Sequence, residues 1–302
     1  MHVQAFGDRL AQAVQSKGNP VCVGLDPRLE QLPPAMQVGS NSPLELQAEA
    51  FERFCCEVID ATHAWVPVVK PQSAFFEELG PHGTMALGRV CSYASSKGLI
   101  VVMDAKRNDI GTTAAAYAKA YLGTNRQSAW GTDALTVSPY LGSDTLQPFV
   151  EQCRSAGAGI FVLVKTSNPG SGFLQDLTVD SRTVSERVAD YVQAQSLMTS
   201  STPNGYGCVG AVVGATYPEQ LRAMRERMPN AWILIPGYGA QGGSASDVVH
   251  GMDKNGLGAI VNSSRGIIFA YENKKYQSAN SWQAAVENAA LDMIAALSDA
   301  CN

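Results

Sequence analysis

Eight short apolar runs, each leading through loop residues into a helical pattern, constrain this chain more than any other feature. They read as strands over residues 21–26, 66–70, 99–106, 134–138, 159–166, 208–214, 231–236 and 258–263. Strands that are apolar throughout, rather than alternating with polar residues, are buried on both faces. That pattern belongs to a parallel sheet covered by helices. Eight such units between residues 21 and 263 fit a closed (β/α)8 TIM barrel better than a doubly wound open sheet. Helices are expected to include 43–61, 113–122, 183–198, 218–228 and 282–297. No Pro/Ser-rich linker divides the sequence, so residues 1–302 are expected to form one domain. An amphipathic N-terminal helix at about residues 5–18 should open it, stopped by Gly18.

Composition limits the function. With 22 basic and 27 acidic residues the formal charge is −5, which disfavours nucleic acid as a partner. A few local Lys and Arg residues could still hold a small anion. Seven scattered cysteines, without a C-x-x-C pair, suggest neither a disulfide framework nor a zinc knuckle. The four histidines form no H-E-x-x-H or H-x-x-x-H pair, so no metal site is expected. Apolar neighbours around Cys22, Cys91 and Cys208 favour buried thiols in a reducing cytoplasm. No signal peptide or membrane span is visible.

Polar residues gather at the C-terminal strand ends, which in a barrel form one mouth. Foremost is Asp104-Ala105-Lys106-Arg107-Asn108-Asp109, a D-x-K-x-x-D cluster following Val101-Val102-Met103. Strand alternation puts Asp104 and Lys106 on one side. Buried charges are costly unless paired, so several at one strand end point to chemistry rather than packing. The plainer reading is a salt bridge, with Asp109 or Thr112 capping the next helix. Lys70, ending the second strand, either reaches solvent or extends the cluster into an alternating row of Lys and Asp. Interleaved opposite charges keep every member ionised. Asp26 before Pro27 and Ser167 before Pro169 are either turn residues or ligand hydrogen-bonders.

Gly237-Tyr238-Gly239-Ala240-Gln241-Gly242 matches G-x-G-x-x-G but follows the seventh strand, and the residues near Gly258, about 20 further on, are apolar. A nicotinamide cofactor is therefore rejected. Barrel loops after strands seven and eight commonly bind phosphate, and Arg265 adds a two-pronged donor.

These segments together resemble the orotidine 5'-phosphate decarboxylase family in its longer bacterial-type form. The resemblance rests on Gly24-Leu25-Asp26-Pro27, Lys70-Pro71-Gln72, the 104–111 cluster, Thr166-Ser167-Asn168-Pro169-Gly170 and the 236–243 loop. It implies loss of CO2 from orotidine 5'-monophosphate to give uridine 5'-monophosphate, without metal or cofactor. Lys70, Asp104, Lys106 and Asp109 match the family's catalytic tetrad, and Lys106 would protonate C6. Asp26 and Lys70 would bind ribose hydroxyls and Ser167 the pyrimidine edge. Gln241 and Arg265, with backbone N–H groups near Gly242 and Ser264, would hold the phosphate. The resemblance also implies a homodimer in which Asp109 and Thr113 serve the neighbouring subunit's site. Asn108 stands where many relatives carry Gly, and is expected to tolerate a left-handed turn. Two rivals share parts of this pattern. One is a Mg²⁺-dependent keto-sugar phosphate decarboxylase or aldolase of the same superfamily; the other is a non-catalytic uridine monophosphate-binding barrel.

Overall fold

The computed structural model describes residues 4–123, 128–202, 205–239 and 242–301. Ten strands occur among them: β1 (Val21–Leu25), β2 (Val68–Pro71), β3 (Ile100–Arg107), β4 (Ala134–Val137), β5 (Gly159–Lys165), β6 (Thr178–Val179), β7 (Arg182–Thr183), β8 (Val209–Val213), β9 (Ile233–Ile235) and β10 (Ala259–Ser263). Eight of these close a parallel barrel in the order β1-β10-β9-β8-β5-β4-β3-β2, and β6 and β7 form a small antiparallel hairpin outside it. The chain is thus a single-domain (β/α)8 barrel. Every residue of β1, β2, β4, β8, β9 and β10 is buried, as continuous apolar runs require.

The expected helices are present, within two residues at the N-terminal ends and up to four at the C-terminal ends, as Leu44–Thr62, Gly111–Tyr121, Val184–Thr199, Pro218–Arg227 and Trp282–Cys301. Two long helices, Gly80–Ser96 and Ser143–Ala156, were hidden by residues that read as breakers. The first opens on Gly80-Pro81 and contains Gly88; the second carries Pro148 inside its span. Tertiary packing overrides those local penalties.

The N-terminal helix Phe6–Lys17 ends at Gly18, whose φ of 67° makes the left-handed stop. It closes the barrel opposite the mouth. Phe6 packs edge-on against Phe161 with centroids 6.0 Å apart, over Gly159, where a Cβ would fall 2.2 Å from its ring. Arg9 pairs with Asp133 at 2.5 Å and donates to the Gly157 carbonyl at 2.9 Å. Asp133 also accepts from the backbone N–H of Val101 at 2.8 Å, so this plug is tied to the starts of β3, β4 and β5.

Candidate active site

At the opposite end, Asp104 is the hub of the charged cluster. Its Oδ2 accepts from Lys70 Nζ at 2.9 Å and Gln72 Nε2 at 3.0 Å. Its Oδ1 accepts from Lys106 Nζ at 2.7 Å and Thr136 Oγ1 at 2.9 Å. Four donors from β2, β3, β4 and the β2 exit therefore saturate one buried carboxylate. Burial by itself would push the Asp104 carboxyl up, but the Lys70 and Lys106 ammonium groups win and hold it well below the usual range. Burial likewise pulls Lys70 down, and the carboxylates of Asp104 and Asp26 reverse this, holding it above the usual lysine range. Asp104 and Lys70 therefore both stay ionised near neutrality.

Lys106 reaches Asp104 by a different route from simple alternation. Its φ is +46°, in the left-handed region that side chains disfavour, and the β3–β4 register shifts between Met103 and Arg107. Thr136 holds this irregularity, because its Oγ1 accepts from the Lys106 backbone N–H at 2.9 Å while donating to Asp104. Asn108, expected to tolerate a left-handed turn, is not asked to: its φ is not positive, and the positive φ values of the 104–111 segment fall on Lys106 and Gly111. The distortion belongs where the side chain must be aimed, not where the chain later bends away.

One cavity of about 330 Å³ lies over this cluster. Asp26, Lys70, Asp104, Lys106, Ser167, Ser264 and Arg265 all line it, as do Gln72, Thr136, Tyr238 and Asn262. Two wall atoms, Asp26 Oδ1 and Ser264 Oγ, are buried without a hydrogen-bond partner, which a ligand hydroxyl or anion would supply. Gly24 permits the close approach of this wall, since a Cβ there would sit 2.7 Å from Ser264 Cβ. Arg265 is exposed at the edge and makes no ion pair among the described residues.

Other expected residues lie elsewhere. Asp109 and Thr113 do not line the cavity; Asp109 Oδ1 accepts from the Ile110 N–H at 2.8 Å. Ile110, rather than Asp109 or Thr112, occupies the N-cap position of the following helix. Gln241 falls outside the described residues. Gly242 is present with φ 91°, but its N–H donates to the Gly239 carbonyl at 3.0 Å, so it does not offer that donor to an anion in this conformation.

The sequence suggests no role for Thr136 or Asn262, nor for Gln72 beyond its place in the Lys70-Pro71-Gln72 motif. Thr136 did carry a signal, being a hydroxyl within a run of buried apolar residues, where an unpaired polar group is costly. Among the described residues, no group of three or more His, Cys, Asp or Glu gathers as metal ligands would, and no helix is long and apolar enough to cross a membrane.

A closed barrel with a polar cavity at its C-terminal mouth, floored by a Lys–Asp–Lys row and edged by the exposed Arg265, defines a (β/α)8-barrel enzyme site. Comparison with known proteins narrows the class. The chain belongs to the orotidine 5'-phosphate decarboxylase / HUMPS family, whose model matches residues 19–279. It is 54% identical over 297 residues to an orotidine 5'-phosphate decarboxylase of Rhodopirellula baltica, covering 96% of this chain and 98% of that protein. It is 40% identical over 277 residues to the enzyme of that name from Caldicellulosiruptor bescii, covering 89% of this chain and 90% of that one. The solved structure of Leishmania donovani OMP decarboxylase aligns with a TM-score of 0.77 at 33% identity, covering 99% of each chain.

Proposed function

We propose that this chain, as one domain, decarboxylates orotidine 5'-monophosphate to uridine 5'-monophosphate in pyrimidine biosynthesis. The observation that carries the reading is the buried Asp104 carboxylate gripped by Lys70 and Lys106 beneath the anion-ready mouth. The C6–carboxylate bond breaks, CO2 leaves, and the electron pair remains on C6. Lys106 Nζ stabilises that developing charge and transfers a proton to C6; water later restores the ammonium. Because the charges are fixed before reaction, little reorganisation is needed at the transition state. Arg265 and Ser264 bind the phosphate, Asp26 and Lys70 the ribose hydroxyls, and Ser167 the pyrimidine edge. Gln241 completes the phosphate set in this reading. Remote phosphate binding then helps align C6 over Lys106.

No metal or organic cofactor enters this reaction. Both Asp104 oxygens already carry ammonium and neutral donors, which leaves that carboxylate poorly suited to ligate Mg²⁺. Purified protein should therefore deplete orotidine monophosphate absorbance, at a rate unchanged by EDTA. Turnover that collapses in EDTA would favour the Mg²⁺-dependent relative; tight uridine monophosphate binding with no turnover would favour the non-catalytic barrel.

The working unit in this reading is a cytoplasmic homodimer. Ile110, Tyr140 and Leu141 are 61%, 73% and 46% exposed at the starts of the adjacent helices Gly111–Tyr121 and Ser143–Ala156. Asn108 Oδ1, on the same β3 exit, is buried without a partner. A second copy docking there would cover these groups and receive Asp109 and Thr113 into its own site. Seven free cysteines, five of them buried, suit a reducing compartment.

A further inference from the structure

Beyond the cavity wall, Lys165 ends β5 almost fully buried, at 4% exposure. Its Nζ donates to Asp176 Oδ1 at 2.7 Å and to Ser171 Oγ at 3.3 Å. The β5–β8 register shifts between Leu163 and Lys165; Leu163 lines the cavity and Lys165 does not. This ion pair closes the segment 166–175, whose first three residues, Thr166, Ser167 and Asn168, form part of the cavity wall. Gln175 adds two bonds, accepting from the Thr166 N–H and donating to Thr166 Oγ1, each at 2.9 Å. Thr166 Oγ1 in turn donates to Asn168 Oδ1 at 2.6 Å.

From the other side, the Gly214 N–H donates to the Lys165 carbonyl at 2.8 Å. A Cβ on Gly214 would lie 2.8 Å from Ser167 Cβ, so the turn rests directly on the end of β8. Apolar burial cannot be what holds the outer part of this segment. Phe173 is 89% exposed and Leu174 36% exposed, leaving the polar bonds as its main tether.

We propose that Lys165, Asp176 and Gln175 are positioning residues for base recognition, latching the 166–168 turn so that Ser167 meets the pyrimidine edge. This rests on the substrate proposed above. The latch touches neither the phosphate wall nor the Lys–Asp–Lys row, so it should govern affinity for the base and leave the chemical step alone. Loss of contacts made equally in ground and transition states raises KM without lowering kcat.

Asp176→Asn keeps the shape and removes the charge at a half-exposed position, so the variant should fold even if Lys165→Met does not. Inhibition by uridine monophosphate and by ribose 5-phosphate, which lacks the base, separates the latch from general loosening. Asp176→Asn should raise KM and the uridine monophosphate inhibition constant about tenfold, with kcat and ribose 5-phosphate inhibition unchanged. Gln175→Leu should act in the same direction, and Asp176→Glu should restore much of the loss. Unchanged uridine monophosphate inhibition, or an equal loss for ribose 5-phosphate, would overturn the proposal. Absence of turnover in the wild type would instead overturn the proposed reaction, while the two inhibitors still read the latch by direct binding.

Discussion

Asp104 shows how a single residue ties stability to chemistry. Its carboxylate is buried, which is unfavourable, yet Lys70, Lys106, Gln72 and Thr136 satisfy it with four donors. Because its native pKa lies below the ordinary value, the stability it contributes is present above about pH 4 and is lost as pH falls from there toward the native value. Lys70 is shifted upward, so its contribution is present below about pH 10 and fades only as pH rises beyond that. Asp104→Asn should cost about 3 kcal/mol at neutral pH by stranding the buried Lys70 charge. Thermal unfolding across pH should show the gap from wild type narrowing below about pH 4; a gap that widens there would contradict the assignment. Thr136→Val is nearly isosteric but removes both the Asp104 donor and the Lys106 N–H acceptor. It should lower kcat about tenfold to a hundredfold with a native circular dichroism spectrum, since a mis-aimed Lys106 loses transition-state contacts. Lys70, Asp104 and Lys106 were legible in sequence because charge at the end of an apolar strand is conspicuous. Gln72 and Thr136 were not, because a neutral side chain reveals its partner only when another strand is laid beside it.

At the scale of elements, β3 departs from ideal geometry where its chemistry begins. Sequence alternation anticipates that Asp104 and Lys106 converge, but the convergence is made by a left-handed Lys106 and a register shift held by β4. A left-handed lysine costs of order 1–3 kcal/mol, which the surrounding bonds must offset. The plug helix works at the other end of the barrel. Phe6→Ala should reduce stability by about 3–5 kcal/mol, as for other buried aromatic truncations. Its kcat should stay near wild type below the new transition temperature, because Phe6 packs at the start of β5 while the cavity sits at its end. Denaturant melts paired with steady-state assays would check both halves. The helices Gly80–Ser96 and Ser143–Ala156 went unread because Gly and Pro are local breakers, and only the sheet they cover outweighs them.

For the whole molecule, the decisive question is whether a site is complete within one chain. Asp109 and Thr113 do not line the cavity of their own barrel, and in the proposed dimer they would complete the neighbouring one. Lys106→Ala and Asp109→Ala proteins should each be inactive alone. Mixed and allowed to exchange subunits, they should recover about a quarter of wild-type activity, because half the dimers are mixed and each holds one intact site. No recovery despite demonstrated exchange would place Asp109 in its own subunit's site. The sequence by itself determined the barrel, because eight doubly buried strands admit few other closures, and it determined the Lys–Asp–Lys row at the mouth. Tertiary structure alone decided what supports that row: Thr136 bridging two strands, Gly24 and Gly214 yielding space to Ser264 and Ser167, and the Lys165–Asp176 latch. Strand periodicity and buried charge are local properties that one segment can display. Satisfying a buried polar atom is a relation between segments, and it exists only once the barrel has closed.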